Sequence, residues 1–388
     1  MAIDPQRRAA VVRALHGSDL VALACFTPAE VLLLTGYCPV MGASMAIATR
    51  DQGVWAILPE DEQELAKATS NAELIPYRPH LLDKLTNASE ALAEPLKQLA
   101  KRLRLSTGEI GTKLYSDRQP APYLSVSHSH TSFLDVLRRA CPEMRVVSAD
   151  HILDQLKSRK TATEVARLQH ACALTAPVFR IAGQAIAIGR REDEVAGDLA
   201  AAFTGAANDG FERGFGSFFC MSGPNSVKAA GAYARTRRRV IESGDLVMIH
   251  ANTAGDGFWT DITRTFIAGE PSKQQQRMQE AIAEARDAAL KAITPDAAAS
   301  TVDRAARSVL EKHCYGPAFK HATGHGVGFA AADPNALPRI HPASPDVLET
   351  GMTFNIEPAI YLDGIGGMRH CDVVVCAGSG PTVLTDFE

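Results

Sequence analysis

At Thr161-Ala162-Thr163-Glu164 the chain changes character, and that change constrains the fold more than any other feature. A hydroxyl three residues ahead of a carboxylate is a capping-box signature, because each side chain satisfies a backbone donor that the first helical turn leaves open. Before it, from about 20 to 150, short apolar runs alternate with helical stretches. Val21–Cys25, Val31–Leu34, Met45–Ala48 and Val54–Leu58 read as strands between Thr-Pro, Thr-Gly and Gln-Gly breakers, and Asn87 to Leu103 carries apolar residues at helical spacing. After it, helical periodicity runs to about Ile188 and returns over Glu192–Ala207, Lys273–Ile293 and Thr301–His313, interleaved with strand pairs. This pattern predicts an α/β domain over residues 1–150 and an α+β domain over 151–388, with the boundary near Ser148–Lys160. A chain of 388 residues can fill both cores.

Charge and composition narrow the partners. A net charge of −4 leaves no basic excess for nucleic acid or an anionic membrane. The run Arg235, Arg237, Arg238 and Arg239 reads first as a solvated face, with an anionic ligand as the alternative. No basic-then-apolar leader opens the sequence and no apolar stretch is long enough for a membrane helix, so a cytoplasmic protein is expected. Eight cysteines without framework spacing read as free thiols, seven of them as buried small hydrophobes.

Two hairpins carry the polar residues of interest. The first is Asp245–Asn252 followed by Gly257–Phe266; a Gly255-Asp256 tip would set His250 directly opposite Asp261, with Cβ atoms roughly 4.5–5.5 Å apart. The second joins Met352–Leu362 to Met368–Cys376 through Asp363–Gly367 and puts Glu357 nearly opposite Cys371. Pro358 removes a ladder donor there, which suggests a bulge or an edge. A third element, Thr323-Gly324-His325-Gly326-Val327-Gly328, leaves His325 unobstructed between glycines that allow close approach of a ligand.

The ordered blocks Ser222–Ser226, Gly244–Val247, Asp261–Phe266, Gly324–Gly328, Ile356-Glu357-Pro358 and Gly367-Met368-Arg369 resemble the pita-bread family of methionine aminopeptidase, aminopeptidase P, prolidase and creatinase. Leu34-Thr35-Gly36-Tyr37 is similar to the creatinase and prolidase N-terminal domain. The resemblance implies a creatinase-like α/β N-terminal domain, a pita-bread C-terminal domain and a homodimer. It also implies a site of two aspartates, one histidine and two glutamates around two divalent metals. Asp261, His325 and Glu357 match the second aspartate, the histidine and the first glutamate; His250 and Cys371 stand where the first aspartate and last glutamate are expected. Two helper histidines of the family fall on Ala230 and Ala332.

Charge counting then limits the cofactor. Asp261, Glu357 and an ionised Cys371 supply three negative charges, or two if the thiol keeps its proton, too few for two dications in a low-dielectric site. Imidazole and thiolate shift preference from manganese toward zinc. One zinc-like divalent ion or none is expected, held by His250, Asp261, His325, Glu357 and Cys371, and dinuclear manganese is not. The bland alternatives are a loop-packed His325, structural carboxylates, a core His250 and an inert Cys371; an activated Cys371 nucleophile is the sharper one. Arg369 is expected to organise carboxylates or a substrate anion, with His341 and His370 as secondary candidates and Phe258, Trp259 and Tyr233 as pocket walls. The residues together point to a hydrolase of a small C–N-bonded substrate: an amide, an amidine-like compound or a dipeptide. The alternatives are a lyase on the same scaffold or a binding protein without catalysis.

Overall fold

A computed structural model describes residues 4–51, 53–70, 72–114, 131–206, 211, 213–231, 235–329 and 336–387. The chain forms two compact units, Met1–Lys157 and Ser158–Glu388. Tyr233 and Ala332 lie outside the described residues.

The first unit contains α1 (Pro5–His16), β1 (Leu20–Cys25), α2 (Pro28–Thr35), β2 (Met45–Thr49), β3 (Gly53–Pro59), α3 (Gln63–Thr69), β4 (Glu73–Tyr77), α4 (Ala88–Arg102), β5 (Glu109–Thr112), α5 (Thr131–Ala140), β6 (Arg145–Ser148) and α6 (Asp150–Ser158). Its six strands form one sheet in the order β4-β3-β2-β1-β5-β6. The strand predicted at Val31–Leu34 is instead helix α2. Thr27 caps it from the N-cap position, Pro28 opens its first turn and Gly36 closes it in the left-handed conformation at φ 76°. The breakers on either side of that apolar run are therefore helix caps, and a four-residue run carries no period to say otherwise.

The second unit contains α7 (Ala162–Ala185), α8 (Glu192–Ala206), β7 (Gly214–Ser222), α9 (Pro224–Val227), β8 (Leu246–Gly255), β9 (Phe258–Trp259), β10 (Ile262–Ile267), α10 (Lys273–Lys291), α11 (Ala299–Lys312), β11 (Thr353–Ile356), β12 (Ala359–Leu362), β13 (Gly366–Arg369), β14 (Asp372–Ala377) and β15 (Gly380–Val383). The capping box at Thr161 and Glu164 is formed in both directions. Strand β8 shows how the cores are divided. Val247, Ile249 and Ala251 pack with residues of α7 and α8, whereas Leu246 and Met248 pack with α10 and α11. His250 and Asn252 continue the second series, so strand alternation puts them on the same face beyond that core.

The first hairpin differs from expectation by one residue. Its tip is Asp256-Gly257, both at positive φ (48° and 87°), as a type I′ turn requires. This moves the register so that His250 pairs with Thr263 rather than Asp261. His250 and Asp261 still share a face, as diagonal neighbours. The second hairpin keeps one register throughout, with Ile356 opposite Asp372 and Ala359 opposite Arg369. Glu357 therefore lies opposite Cys371. Pro358 interrupts the ladder without adding a residue, so no bulge forms.

Candidate active site

Four backbone hydrogen bonds bring the site together. The Thr263 N–H donates to the Cys371 carbonyl at 3.3 Å and the Cys371 N–H to the Thr263 carbonyl at 3.0 Å, which ties the two hairpins. Arg264 clamps that junction, donating to the Cys371 carbonyl and to the Asp372 carboxylate at 2.7 Å each. The third element runs along β11: Glu357 N–H meets the Thr323 carbonyl at 2.8 Å and Asn355 N–H meets the His325 carbonyl at 3.0 Å. Glycine is required here for the chain's own backbone rather than for a ligand. A Cβ on Gly324 would stand 1.9 Å from the Asn355 carbonyl oxygen, and one on Gly326 would stand 2.2 Å from that of Leu337.

His250, Asp261, His325, Glu357, Arg369 and Cys371 meet in this junction. Asp261 Oδ1 lies 3.6 Å from His250 Nδ1, and Oδ2 lies 3.6 Å from His325 Nε2. Arg369 Nη2 donates to His250 Nδ1 at 3.2 Å, its Nε to Thr263 Oγ1 at 3.1 Å and its Nη1 to the Tyr361 hydroxyl at 3.4 Å. Glu357 Oε2 is 3.9 Å from Arg369 Nη1, outside hydrogen-bonding distance. Cys371 points its thiol at the Asp261 carbonyl, 3.2 Å away. His370 faces Asp372 at 3.2 Å on the opposite side of its strand, and exposed His341 accepts from the Ala343 N–H; neither enters the site.

Electrostatics assign the protons. Arg369 can only donate, so His250 Nδ1 accepts, from the guanidinium and from the Thr263 hydroxyl 2.9 Å away. The ring proton then sits on Nε2, and the Asn252 carboxamide, whose Nδ2 lies 3.1 Å away, must turn its oxygen toward the ring to accept it. Burial pushes His250 down to about 4, with Asp261 opposing and Arg369 adding, so the ring is neutral. Burial likewise raises Glu357 to about 7, against the pull of Arg369. The Cys371 thiol is raised well above its ordinary value by burial and then by Asp261 and Glu357. These surroundings favour the protonated thiol over an activated thiolate nucleophile.

The same facts test the expected metal. Burial favours the protonated Cys371 thiol, both ring nitrogens of His250 have side-chain partners, and the Arg369 guanidinium lies 3.2 Å from His250 and 3.9 Å from Glu357. Among the described residues, no three His, Cys, Asp or Glu side chains gather closely enough to hold a metal ion. The donor set does not fit a resident pair of metals.

Sequence reasoning missed four contributors. Asn355 and Thr263 each lie two residues from a named carboxylate on the same strand face, and alternation alone would have found them. Tyr361 and His321 are joined by a 3.0 Å hydrogen bond across forty residues of sequence, for which no local signal exists. Of the proposed walls, Trp259 packs edge-on against Phe215 at 4.8 Å, while Phe258 is buried against Phe329. The arginine run is partly internal: Arg237 donates to Asn225 at 2.8 Å and Arg239 to Ser222 at 2.7 Å. None of the eight cysteines forms a disulfide, but Cys314 is exposed and Cys38 half-buried, so fewer than seven are core residues.

Known proteins are similar to this chain in sequence and fold. The chain is 26% identical over 361 residues to an Xaa-Pro dipeptidase of Pyrococcus horikoshii, covering 92% of this chain and 91% of the relative. It is 32% identical over 241 residues to an Xaa-Pro dipeptidase of Pyrococcus furiosus, covering 62% of this chain and 66% of that protein. The crystal structure of the prolidase from Pyrococcus horikoshii OT3 matches with a TM-score of 0.77 at 23% identity over 99% of both chains. The fold is thus a prolidase-type α/β N-terminal domain followed by a pita-bread domain. A sequence model of metallopeptidase family M24 matches residues 166–377, more than half of the chain, and the chain belongs to that family.

Proposed function

We propose that this chain hydrolyses the C–N bond of a small amide or dipeptide-like substrate in the pocket of Asp261, His325, Glu357 and Arg369. The supporting observation is the meeting of two carboxylates, two imidazoles and a guanidinium, with Asp261 3.6 Å from both rings and Arg369 3.2 Å from His250. The relatives named Xaa-Pro dipeptidases support amide chemistry of this class.

Glu357 handles the proton. Among the described residues its carboxylate carries no hydrogen bond, whereas that of Asp261 is engaged by Asn355, 3.4 Å away. Glu357 is therefore free to accept a proton from attacking water and return it to the leaving nitrogen. Arg369, fixed by Thr263 and Tyr361, supplies positive charge for the oxyanion that develops on the scissile carbonyl. Asp261 receives the substrate amine, and His325 lines the pocket opposite His250. His250 holds Arg369 in place, and Cys371 fixes the Asp261 backbone. The charge count admits one zinc-like divalent ion or none and excludes two manganese ions; no step here runs through an ion. The substrate is a small molecule rather than nucleic acid or membrane, and the working form is a cytoplasmic homodimer.

A panel of dipeptides and N-acyl amino acids, incubated with the full chain in ¹⁸O-labelled water, tests this. Turnover with one ¹⁸O in the newly formed carboxylate is expected, and E357Q should lower it by roughly 10²-fold or more. Turnover without label would mean elimination, and no turnover at all would end the proposal. Efficient manganese-stimulated cleavage of Xaa-Pro dipeptides would overturn the charge count.

A further inference from the structure

We infer that the Asn355 carboxamide bridges Asp261 and His325 and so occupies the position of a metal between them. Asn355 lies on β11 with no exposed surface, and its backbone pairs with that of His325. Its Oδ1 accepts the His325 backbone N–H at 2.7 Å. That donor fixes which way the amide points, since Nδ2 could not take its place. Nδ2 then faces Asp261 Oδ2 at 3.4 Å and His325 Nε2 at 3.3 Å. The His325 tautomer agrees: Nδ1 lies 3.0 Å from the Gly326 carbonyl and must donate to it, which leaves Nε2 with a lone pair.

A carboxylate oxygen and an imidazole lone pair 3.6 Å apart repel unless something positive lies between them. A proton, a cation or a pair of N–H donors can do this. The amide has two hydrogens and two acceptors to meet. A divalent ion at the same point would face those hydrogens instead of a ligand atom, so the amide and the ion exclude each other. Gly324 makes the arrangement possible, because a Cβ there would stand 2.9 Å from Asn355 Oδ1. Asn355 is thus a positioning residue, and the site is assembled by the protein's own donors. The inference holds whether or not the pocket hydrolyses amides, because its test reads metal and melting temperature rather than turnover.

The full chain is purified, dialysed against chelator-free buffer, and its zinc, manganese, cobalt and iron are measured per chain. Its melting temperature is then recorded with chelator, zinc or manganese. N355D keeps the shape and the acceptor for the His325 N–H but replaces the two donors with an acceptor. We expect wild-type protein without stoichiometric metal and with a melting temperature unmoved by chelator or ion. N355D should melt several degrees lower and recover when zinc or manganese is added. About one equivalent of metal in the wild type, lost in H325A, would overturn the inference. So would an N355D protein that melts like the wild type and ignores added ions.

Discussion

At Cys371 the surroundings decide what a reactive residue type can do. The side chain is fully buried, donates toward the Asp261 carbonyl and has two carboxylates near it. A thiol so placed is a weak hydrogen-bond donor with its proton retained, and reagents cannot reach it. Cys314, exposed at a left-handed backbone position, is the opposite case. Brief alkylation of the native protein, followed by peptide mass mapping, should label Cys314 and leave Cys371 unmodified until the chain is denatured. Equal labelling of the two would show that the junction between the hairpins opens in solution. Arg369 depends more on shape than on charge. Its three nitrogens each serve a different partner, so R369K keeps the charge but loses the fork. If turnover is found, R369K should lower kcat/KM by roughly 10²-fold, with little change in the KM of a neutral substrate analogue. A near-normal rate would mean that charge alone suffices.

Elements are held in register by a few interactions that differ in how clearly the sequence shows them. The capping box at Thr161, the long helices between 162 and 312 and the second hairpin are legible directly, because each has a local period or a fixed offset. The first hairpin was misplaced by one residue because Gly255, Asp256 and Gly257 offer two overlapping tips, and only packing chooses between them. Asp261, His325 and Glu357 stand within short ordered blocks, whereas Asn355 acts through a backbone pairing with a segment thirty residues away. In the N-terminal unit an equally non-local contact fixes α2. Buried Glu30 on that helix accepts from Lys157 of α6 at 2.9 Å, with Lys113 at 3.6 Å. Burial works against its charge, and the two ammonium groups outweigh burial and hold its carboxyl below the usual 4.5. A carboxyl lowered on folding contributes stability at pH above about 4.5, and that contribution fades as pH falls through its depressed value. E30Q should therefore cost roughly 2–3 kcal/mol at pH 7 and progressively less in acid, checked by thermal melts at pH 7 and pH 3.5. A constant difference across that window would show that hydrogen bonding, not ionisation, is what Glu30 supplies. G324A is the matching change in the other unit. Its Cβ would meet the Asn355 carbonyl oxygen at 1.9 Å and must drive β11 away from His325, at a cost of roughly 3 kcal/mol or more.

At the scale of the whole molecule, each unit has a hydrophobic core built from its own residues. The core around β1, β2, β3 and α4 draws on residues between Val21 and Val146. The cores around α7 and α8, and around α10 and α11, draw only on residues from Val165 onward. Every residue of the candidate site lies in the second group, on strands and segments fixed by hydrogen bonds within residues 158–388. The candidate site and the strands that orient it therefore belong to residues 158–388. A segment with its own buried core meets the main requirement for independent folding. Residues 158–388 expressed alone should then give a single cooperative thermal transition by circular dichroism. N355D should lower the transition in that fragment as it does in the full chain, because Asn355, Asp261 and His325 meet entirely inside it. A fragment that melts gradually, without a transition, would mean that the core of 158–388 is completed only in the presence of residues 1–157.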